Sequence, residues 1–281
     1  MNVLNWFEAL ILGIIQGISE FLPVSSTAHL VIAERLLHLQ IDGSNTLTFE
    51  VFLHFASLLA VIFYFRKDIF TLIQHFFKYL MTKKKQYYVN YKFSLFILLA
   101  TLLTMIAGKG LETLLGDRLV HMATISASLI ITGIFLIFIE HGIDEGNRKE
   151  GEMTLKDAIV VGLGQALAVI PGISRSGSTL ILSLWCGMAK ETAVRYSFLL
   201  SIPLILGITL IKIPEFIEAG YSEGILPLAV SFAASFVFAI IGIKWLIQMV
   251  KRTRLSYFAF YCIALGIFTW IFLADAPVSL Q

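Results

Sequence analysis

The sequence predicts an all-α integral membrane protein built from two inverted-topology repeats, each a re-entrant helical hairpin followed by three transmembrane helices. Three observations predict this fold class: an apolar composition, six segments long enough to cross a bilayer, and a short motif that occurs twice. Of the 281 residues, 58% are hydrophobic and 14% are charged, whereas roughly a quarter are charged in a soluble domain. The mean hydropathy is +0.85. We therefore expect lipid to surround most of the chain.

The composition also excludes several classes of function. The formal net charge is only +2, and the basic residues lie in short loops between apolar segments, so no nucleic-acid partner is expected. Cys186 and Cys262 lie inside apolar segments, which indicates small apolar packing and neither a disulfide framework nor a thiolate metal site. The first apolar segment carries Glu8 and has no basic stretch before it, so we do not expect a cleaved signal peptide.

Apolar segments near the length of about 20 residues that a helix needs to cross the hydrocarbon core mark the predicted crossings. The six are residues 49–65, 93–111, 121–140, 196–213, 225–250 and 255–274. Two shorter segments, 6–22 and 158–170, each run into a proline, a hydroxyl-rich stretch and a second short apolar piece. These predict helices that enter the membrane and turn back. Because irregular backbone at membrane depth is tolerated only inside protein or beside a wet cavity, each break indicates a site.

Basic loops predict the orientation, since lysine and arginine near helix ends favour the cytoplasmic side. The basic connections are residues 66–92, residues 141–157, and the group Lys251, Arg252 and Arg254. We expect these three to be cytoplasmic, and the less basic connections around Asp117 and Glu218 to lie outside. The first hairpin then enters from outside, the second enters from the cytoplasm, and both chain termini lie outside.

A repeated pattern supports the two halves. Residues 12–16 recur in pattern as residues 161–165, and each copy is followed by a proline and a serine cluster. Three crossings separate the two copies, and an odd number places the second copy on the opposite side of the membrane. This predicts that the halves are inverted and that their two breaks face each other. We expect one membrane domain over residues 1–281, with repeat one at about 1–140 and repeat two at about 155–281. Chance similarity of two glycine-containing apolar helices is the alternative, and the loop charges favour the inversion independently.

A carboxylate lies in the first predicted hairpin. Gln16 and Glu20 are four residues apart and therefore share a helix face. A carboxylate at membrane depth is costly, so Glu20 is by default a functional candidate. Pro23 ends the helix there.

The hydroxyl-rich stretch after Pro23 predicts an anion site. Ser25, Ser26 or Thr27 can cap the next helix, whose free backbone N–H groups would suit a phosphate. His29 is three residues beyond Ser26, within reach to act as a base for a serine hydroxyl or as an acid for a leaving group. Capping alone for the serines, and a structural hydrogen bond for His29, are the alternatives.

The second break, residues 171–179, places one guanidinium among four hydroxyls and two glycines. Arg175 is always charged and its planar fork matches phosphate oxygens, while glycine allows close backbone approach. The alternative is that Arg175 pairs with Glu20 for structure alone. Together the two breaks supply a carboxylate, a nucleophile, a base and a cation. This constellation is typical of phosphoryl transfer, where positioning and charge neutralisation carry most of the catalysis.

These motifs resemble those of the bacterial undecaprenyl-diphosphate phosphatases of the bacitracin-resistance type, and the resemblance covers nearly the whole chain. Residues 16–20 are similar to the family's (Glu/Gln)-x-x-x-Glu motif, residues 21–27 with His29 to its serine-histidine stretch, and residues 171–177 to its Pro-Gly-x-Ser-Arg-Ser-Gly motif. The resemblance implies removal of the terminal phosphate of undecaprenyl diphosphate, which regenerates the carrier lipid for peptidoglycan synthesis. It also implies a divalent cation, Mg or Ca, low-level bacitracin resistance, and a multi-pass protein of the bacterial cell membrane. With the diphosphate between the two breaks, we expect the active site to open to the outer face.

The resemblance carries roles to individual residues. The catalytic group would be Glu20, Ser26, His29 and Arg175, and the phosphate-binding group Ser25, Thr27, Ser174, Arg175 and Ser176. Glu20 would bind the cation or activate the attacking group, with Gln16 and Glu50 as further candidate ligands of the cation. Gln16 stands where many members have glutamate, so a two-carboxylate site at positions 16 and 20 is excluded. Ala28 stands where many members have glycine.

Other readings stay open on the sequence alone. Ser26 attacks phosphorus directly or only positions a water molecule. A polyprenyl-phosphate transporter or flippase is the main rival function, because inverted repeats with broken helices are common in transporters. A purely structural membrane subunit is a third reading, disfavoured by the cost of burying Glu20 and Arg175 without use. The sequence is compatible with a homodimer.

Overall fold

A computed structural model describes residues 4–39, 43–116, 121–142, 146–219, 224–252 and 255–273. Within these ranges, the side chains of residues 43–48 and 215–219 are not described. Some residues on which the predicted membrane orientation depends lie outside the described residues, namely Asp117, Arg254, the side chain of Glu218 and both chain termini.

Every regular element in the described ranges is a helix. The helices are α1 (Trp6–Phe21), α2 (Ser26–Leu36), α3 (Gly43–Tyr64), α4 (Arg66–Thr82), α5 (Lys85–Leu115), α6 (Met122–Gly142), α7 (Leu155–Ala166), α8 (Arg175–Trp185), α9 (Lys190–Ala219), α10 (Ile225–Lys251) and α11 (Ser256–Leu273). Short 3-10 segments cover Glu150–Glu152 and Leu167–Val169.

Five of the described helices are long and apolar enough to cross a membrane, namely α5, α6, α9, α10 and α11. A sixth span results if α3 and α4 are counted together, although they are bent by 75° at their junction. The helices α1, α2, α7 and α8 have 16, 11, 12 and 11 residues, too short to cross alone. The chain is therefore an all-α protein of multi-pass type, as predicted.

The two predicted breaks are present and each separates two short helices that pack as a hairpin. In the first hairpin α1 ends before Pro23 and α2 begins at Ser26. In the second, α7 and its 3-10 extension end before Pro171, and α8 begins at Arg175. Both hairpins open with a capping box, Asn5 with Glu8 in α1 and Thr154 with Asp157 in α7.

The connection at residues 66–92, expected from its charges to be a loop, is helical except at residues 83–84. Apolar side chains recur along α4 at helical spacing, and Phe70, Ile73 and Phe77 are exposed on its surface. Aromatic pairs hold α4 against the start of α5, with the rings of Tyr79 and Tyr91 4.5 Å apart. Basic residues alone are a poor guide to helix or loop here, because lysine is itself a good helix former.

The two halves of the chain interlock. Helix α1 packs along α10 and α7 packs along α5, so each hairpin packs on the second long helix of the other half. The remaining main contacts join α3 to α9 and α6 to α11. This exchange of partners brings the break before α2 and the break before α8 to the middle of the protein.

Glycines allow the closest of these contacts. A Cβ atom at Gly17 would lie 2.5 Å from the carbonyl oxygen of Ser235 and 2.8 Å from the backbone nitrogen of Ala239. In the other half, a Cβ at Gly162 would lie 2.8 Å from the Cα atom of Ala100. Backbone atoms cannot rotate away as a flexible side chain does, so α1 and α10 pack at a separation that only glycine permits.

We expect Gly17→Ala to destabilise the protein by about 1–3 kcal/mol, because the added methyl group forces α1 away from α10. The matched control is Gly110→Ala on α5, where a Cβ atom meets nothing within 4 Å. That change should be neutral or stabilising by up to about 1 kcal/mol, since alanine is the better helix former. Thermal unfolding of the detergent-solubilised proteins measures both. Equal midpoints for the two variants would contradict the tight α1–α10 contact.

An ion pair fixes the entry to the second hairpin. Both guanidinium NH groups of Arg148 donate to the buried Asp157 carboxylate, at 3.1 and 2.6 Å, and one of them also donates to the Cys186 carbonyl at 2.6 Å. Burial by itself raises the pKa of Asp157. The hydrogen bonds and charge of Arg148, together with hydrogen bonds from Thr154, nevertheless hold that pKa below its ordinary value of 3.8. The pair joins the segment before α7 to the end of α8.

This lowered pKa predicts a pH-dependent contribution to stability. A carboxyl whose pKa is depressed by folding stabilises the protein above its ordinary pKa and loses that contribution as the pH falls through the lower, folded value. We therefore expect Asp157→Asn to lower the thermal midpoint at pH 7, and the difference from the parent protein to shrink towards pH 3. A difference that stays constant between the two pH values would show that the charge of Asp157 contributes nothing.

Candidate active site

The two breaks meet through an ion pair. A guanidinium NH group of Arg175, the first residue of α8, donates to Oε1 of Glu20 near the end of α1, at 2.5 Å. The Glu20 side chain is 2% exposed and that of Arg175 is 16% exposed. The Ser176 hydroxyl also donates to the Leu22 carbonyl at 2.8 Å. The predicted approach of the two breaks is confirmed.

Glu20 is the centre of the polar cluster. Its second oxygen, Oε2, accepts a hydrogen bond from the Ser26 hydroxyl at 2.8 Å and one from the Gln16 side-chain amide at 2.8 Å. Gln16 and Glu20 thus share a helix face, as their spacing predicts. His54 on α3 approaches the same oxygen, with Nδ1 3.0 Å from it and 2.8 Å from Nε2 of Gln16. All four of these side chains are at least partly buried.

The two helix starts at this point are built differently. Ser174 caps α8 conventionally, because its hydroxyl accepts the backbone N–H of Gly177 at 3.0 Å. Ser25 precedes α2 with a φ of 69° and its side chain makes no capping hydrogen bond. The backbone N–H groups of the first turn of α2 therefore remain available to an anion. Ser176 lies 3.2 Å from the Ser174 hydroxyl, and Thr27 is half-buried beside Ser26.

His29 lies in the first turn of α2 with partners other than Ser26. Its Nδ1–H donates to the Ser25 carbonyl at 2.7 Å, so in the neutral ring Nε2 accepts from the Tyr261 hydroxyl, also at 2.7 Å. The two rings are stacked, with centroids 5.5 Å apart. The hydroxyl of Ser26 points to Glu20 instead. This arrangement places a carboxylate, and not the imidazole, at the hydrogen of Ser26.

Two residues of this site, His54 and Tyr261, are not among those that the sequence predicts. His54 could have been found, because an imidazole one helical turn after Glu50 in an apolar segment is as costly as Glu20. Tyr261 carries no such signal, since it is one of many aromatic residues in α11. Tyr261 belongs to the site only through the packing that brings it to His29.

The site offers a divalent cation few acidic ligands but also has buried oxygens that lack a hydrogen-bond partner. Among the described residues, no three His, Cys, Asp or Glu side chains are placed to hold a metal ion together. Oxygen Oε1 of Gln16 and oxygen Oε1 of Glu50 are, however, buried without a hydrogen-bond partner. Buried polar atoms are normally paired, so unpaired oxygens beside Glu20 and His54 fit a ligand supplied from outside the chain.

Comparison with known proteins identifies the family to which this arrangement belongs. The family model described as bacitracin resistance protein BacA matches residues 9–268. The chain belongs to the BacA family. A relative from Halalkalibacterium halodurans, named undecaprenyl-diphosphatase 2, is 51% identical over 94% of this chain and 95% of its own length. Another from Shouchella clausii, named undecaprenyl-diphosphatase 1, is 43% identical over 96% and 97%.

A more distant BacA relative from Oceanobacillus iheyensis, named undecaprenyl-diphosphatase, is 36% identical over 97% of this chain and the whole of its own length. Each of these matches spans both breaks, because it covers nearly the entire chain. The similarity of this chain to the BacA family therefore includes both halves of the polar cluster.

Proposed function

We propose that this chain is an undecaprenyl-diphosphate phosphatase, which releases inorganic phosphate from undecaprenyl diphosphate and returns undecaprenyl phosphate to peptidoglycan synthesis. The observation that carries the proposal is the direct contact of a serine hydroxyl, a buried carboxylate and an arginine at the meeting of the two breaks. The names of the relatives agree with it. Removal of the diphosphate that bacitracin sequesters would confer resistance to that antibiotic.

Phosphate binding is assigned to the two helix starts. Arg175 offers a planar fork to the diphosphate oxygens, and its partner Glu20 keeps it in place until substrate arrives. The uncapped amides of α2, next to Ser25 and Thr27, face the same region. Hydroxyls of Ser174 and Ser176 at the start of α8 are proposed to complete the set of donors, the latter by exchanging its hydrogen bond to the Leu22 carbonyl for one to a phosphate oxygen. The polyprenyl tail would lie along the apolar helices, in lipid.

The chemical step is assigned to Ser26 and Glu20. The Ser26 oxygen attacks the terminal phosphorus, its hydrogen passes to the carboxylate of Glu20, and the bond from phosphorus to the bridging oxygen breaks. Undecaprenyl phosphate leaves, and water then cleaves the bond between Ser26 and phosphorus. In the second step His29, whose bare Nε2 is a hydrogen-bond acceptor, is proposed to take a proton from the attacking water, and the proton held by Glu20 returns to the Ser26 oxygen. In the alternative, Ser26 positions a water molecule that attacks in a single step.

A divalent cation, Mg or Ca, is part of the proposal. Glu20 would hold it, with Gln16 and Glu50 as further ligands, because each of the latter has a buried oxygen without a partner. Such a cation neutralises charge on the phosphoryl oxygens. Magnesium sites commonly combine one or two carboxylates with substrate phosphates, so few protein ligands suffice.

The orientation in the bacterial cell membrane is a further part of the proposal. The exchange of partners between the halves, α1 with α10 and α7 with α5, supports two inverted repeats. The basic residues near the ends of α4, α5 and α10 support a cytoplasmic location for those ends. We infer that both termini and the opening of the active site lie on the outer side. The described site takes its residues from one chain, so the proposal does not depend on a homodimer.

Hydrolysis is favoured over lipid transport by the arrangement around Glu20. Binding a lipid phosphate during transport needs Arg175 and helix amides, but it gives no reason for a serine hydroxyl hydrogen-bonded to a buried carboxylate. The relatives described above are named for hydrolysis. Fold alone would not separate the two functions.

The proposal is tested by phosphate release from undecaprenyl diphosphate by the purified protein, with and without a chelator. We expect cation-dependent release, and a loss of about 10²–10³-fold in Glu20→Gln, which keeps the shape of the side chain and removes its charge. The matched control is Glu112→Gln, an exposed glutamate on α5. A folded parent protein that binds the lipid without releasing phosphate would contradict hydrolysis and favour transport.

A further inference from the structure

Three polar atoms in the site form a nearly equilateral triangle. The amide nitrogen of Gln16 is 2.8 Å from Oε2 of Glu20 and 2.8 Å from Nδ1 of His54, and the last two atoms are 3.0 Å apart. The triangle joins α1 to α3. Each of the three distances is that of a strong hydrogen bond.

With Glu20 ionised, as its ion pair with Arg175 favours, no placement of hydrogen atoms satisfies all three contacts. If Nδ1 of His54 is bare, the amide donates to both neighbours, but a ring lone pair then faces the carboxylate oxygen. If Nδ1 is protonated, it and the Gln16 amide both donate to Oε2 of Glu20, but two donor nitrogens then stand 2.8 Å apart. If the amide is turned by half a rotation, the ring N–H is satisfied, but the amide oxygen then faces the carboxylate oxygen. Each assignment leaves two like groups in contact.

A cation removes the conflict. An amide oxygen, a carboxylate oxygen and a bare imidazole nitrogen all direct lone pairs, so the three can share one positive ion. Ligands at about 2.0–2.1 Å in the octahedral geometry of Mg²⁺ are separated from their neighbours by about 2.9–3.0 Å. The sides of the triangle, 2.8 to 3.0 Å, match one face of such an octahedron.

Two neighbours of the triangle are consistent with this. The carboxylate of Glu50, one helical turn before His54 on α3, is buried with an oxygen that has no partner. The hydroxyl of Ser26 lies 2.8 Å from the Glu20 oxygen that forms one corner. An ion at the triangle would therefore have a further carboxylate near it and the proposed nucleophile beside it.

We infer that Gln16, Glu20 and His54 are three protein ligands of one divalent cation, with Gln16 binding through its amide oxygen and His54 through Nδ1. This inference rests on the proposed function and adds to it a nitrogen ligand on α3. It also gives Gln16 a role as a neutral ligand at a position where the motif accepts glutamate or glutamine.

Manganese is the probe for the test, because Mn²⁺ substitutes for Mg²⁺ and is paramagnetic. Electron spin-echo measurements on the purified protein with Mn²⁺ should show coupling to a directly bound imidazole nitrogen. In His54→Gln that coupling should disappear and the affinity for Mn²⁺ should fall at least tenfold. The matched control is His141→Gln, an exposed histidine at the end of α6, which should leave both unchanged.

A second variant tests the role of Gln16 by a gain that misfolding cannot produce. Gln16→Glu places two carboxylates at one edge of the triangle, so metal-free protein should be less stable and Mn²⁺ should raise its thermal midpoint more than that of the parent. The nitrogen coupling should persist. A smaller Mn²⁺ shift in Gln16→Glu than in the parent would overturn ligation by the amide oxygen.

The ligand assignment and the proposed function fail in different measurements. Absence of Mn²⁺ binding or of nitrogen coupling in the parent, or coupling that survives in His54→Gln, would overturn the site while cation-dependent phosphate release continued to support the hydrolase. Absence of phosphate release from the parent would contradict the hydrolase whatever the spin-echo result.

Discussion

Replacement of Arg175 by alanine is expected to lower kcat/KM for undecaprenyl diphosphate by about 10³-fold or more, within the range found when an arginine that stabilises a phosphoryl transition state is removed. The variant loses the only guanidinium seen, among the described residues, in contact with Glu20, and with it the fork that would hold the diphosphate. It also leaves the buried Glu20 carboxylate without its cationic partner, which is itself destabilising. Steady-state phosphate release on folded, monodisperse protein measures the effect.

Arg175→Lys separates charge from geometry. Lysine keeps a positive charge near Glu20 but cannot make the bidentate contact, so we expect an activity between those of the parent and Arg175→Ala. The matched control is Arg66→Ala, since Arg66 is exposed at the corner between α3 and α4 and donates to the Phe63 carbonyl. Activity of folded Arg175→Ala within about threefold of the parent would remove Arg175 from the catalytic group.

Replacement of Ser26 by alanine is expected to abolish measurable turnover, a loss of about 10³-fold or more, because no other hydroxyl among the described residues contacts Glu20. The change removes one oxygen and should leave α2 and its contacts in place. Stability should therefore change little while activity falls. The matched control is Ser94→Ala, whose hydroxyl only donates to the Asn90 carbonyl of its own helix.

The same variant separates the two mechanisms for Ser26. With substrate labelled in the terminal phosphate, acid quenching should trap label on the parent protein and none on Ser26→Ala. Two displacements at phosphorus give net retention of configuration, whereas attack by water gives inversion. Inversion would show that Ser26 positions water, and label trapped equally on both proteins would show that Ser26 is not the residue that becomes phosphorylated.

The membrane class and the two breaks could be predicted from the sequence. Composition and segment length were sufficient for the membrane class, because a chain this apolar has few ways to satisfy its backbone except as helices in lipid. Prolines 23 and 171 located the breaks, since proline lacks the N–H that a continuing helix needs. Glu20 and Arg175 were identifiable because an isolated charge at membrane depth is too costly to be kept without a partner.

Other features did not follow from local sequence. The loop at residues 66–92 proved to be largely helical, since its aromatic residues pack on α5 and offset the effect of its many charges. The predicted partner of Ser26 was His29, three residues away, but the hydroxyl donates to Glu20 across the break. The prediction of His29 rested on its proximity to Ser26 along the helix. The contact with Glu20 forms because the chain turns at Pro23 and brings Ser26 back to the end of α1.

The sequence by itself determined the class of protein, the two hairpins and the charged residues that meet between them, because each depends on the cost of placing one residue type in lipid. Only the tertiary structure decided which atoms touch. His54 and Tyr261 enter the site through the packing of α3 and α11, which joins residues far apart in the chain. Such contacts depend on the separation and rotation of whole helices, set by close approaches such as that of Gly17 to α10, and no local pattern records them.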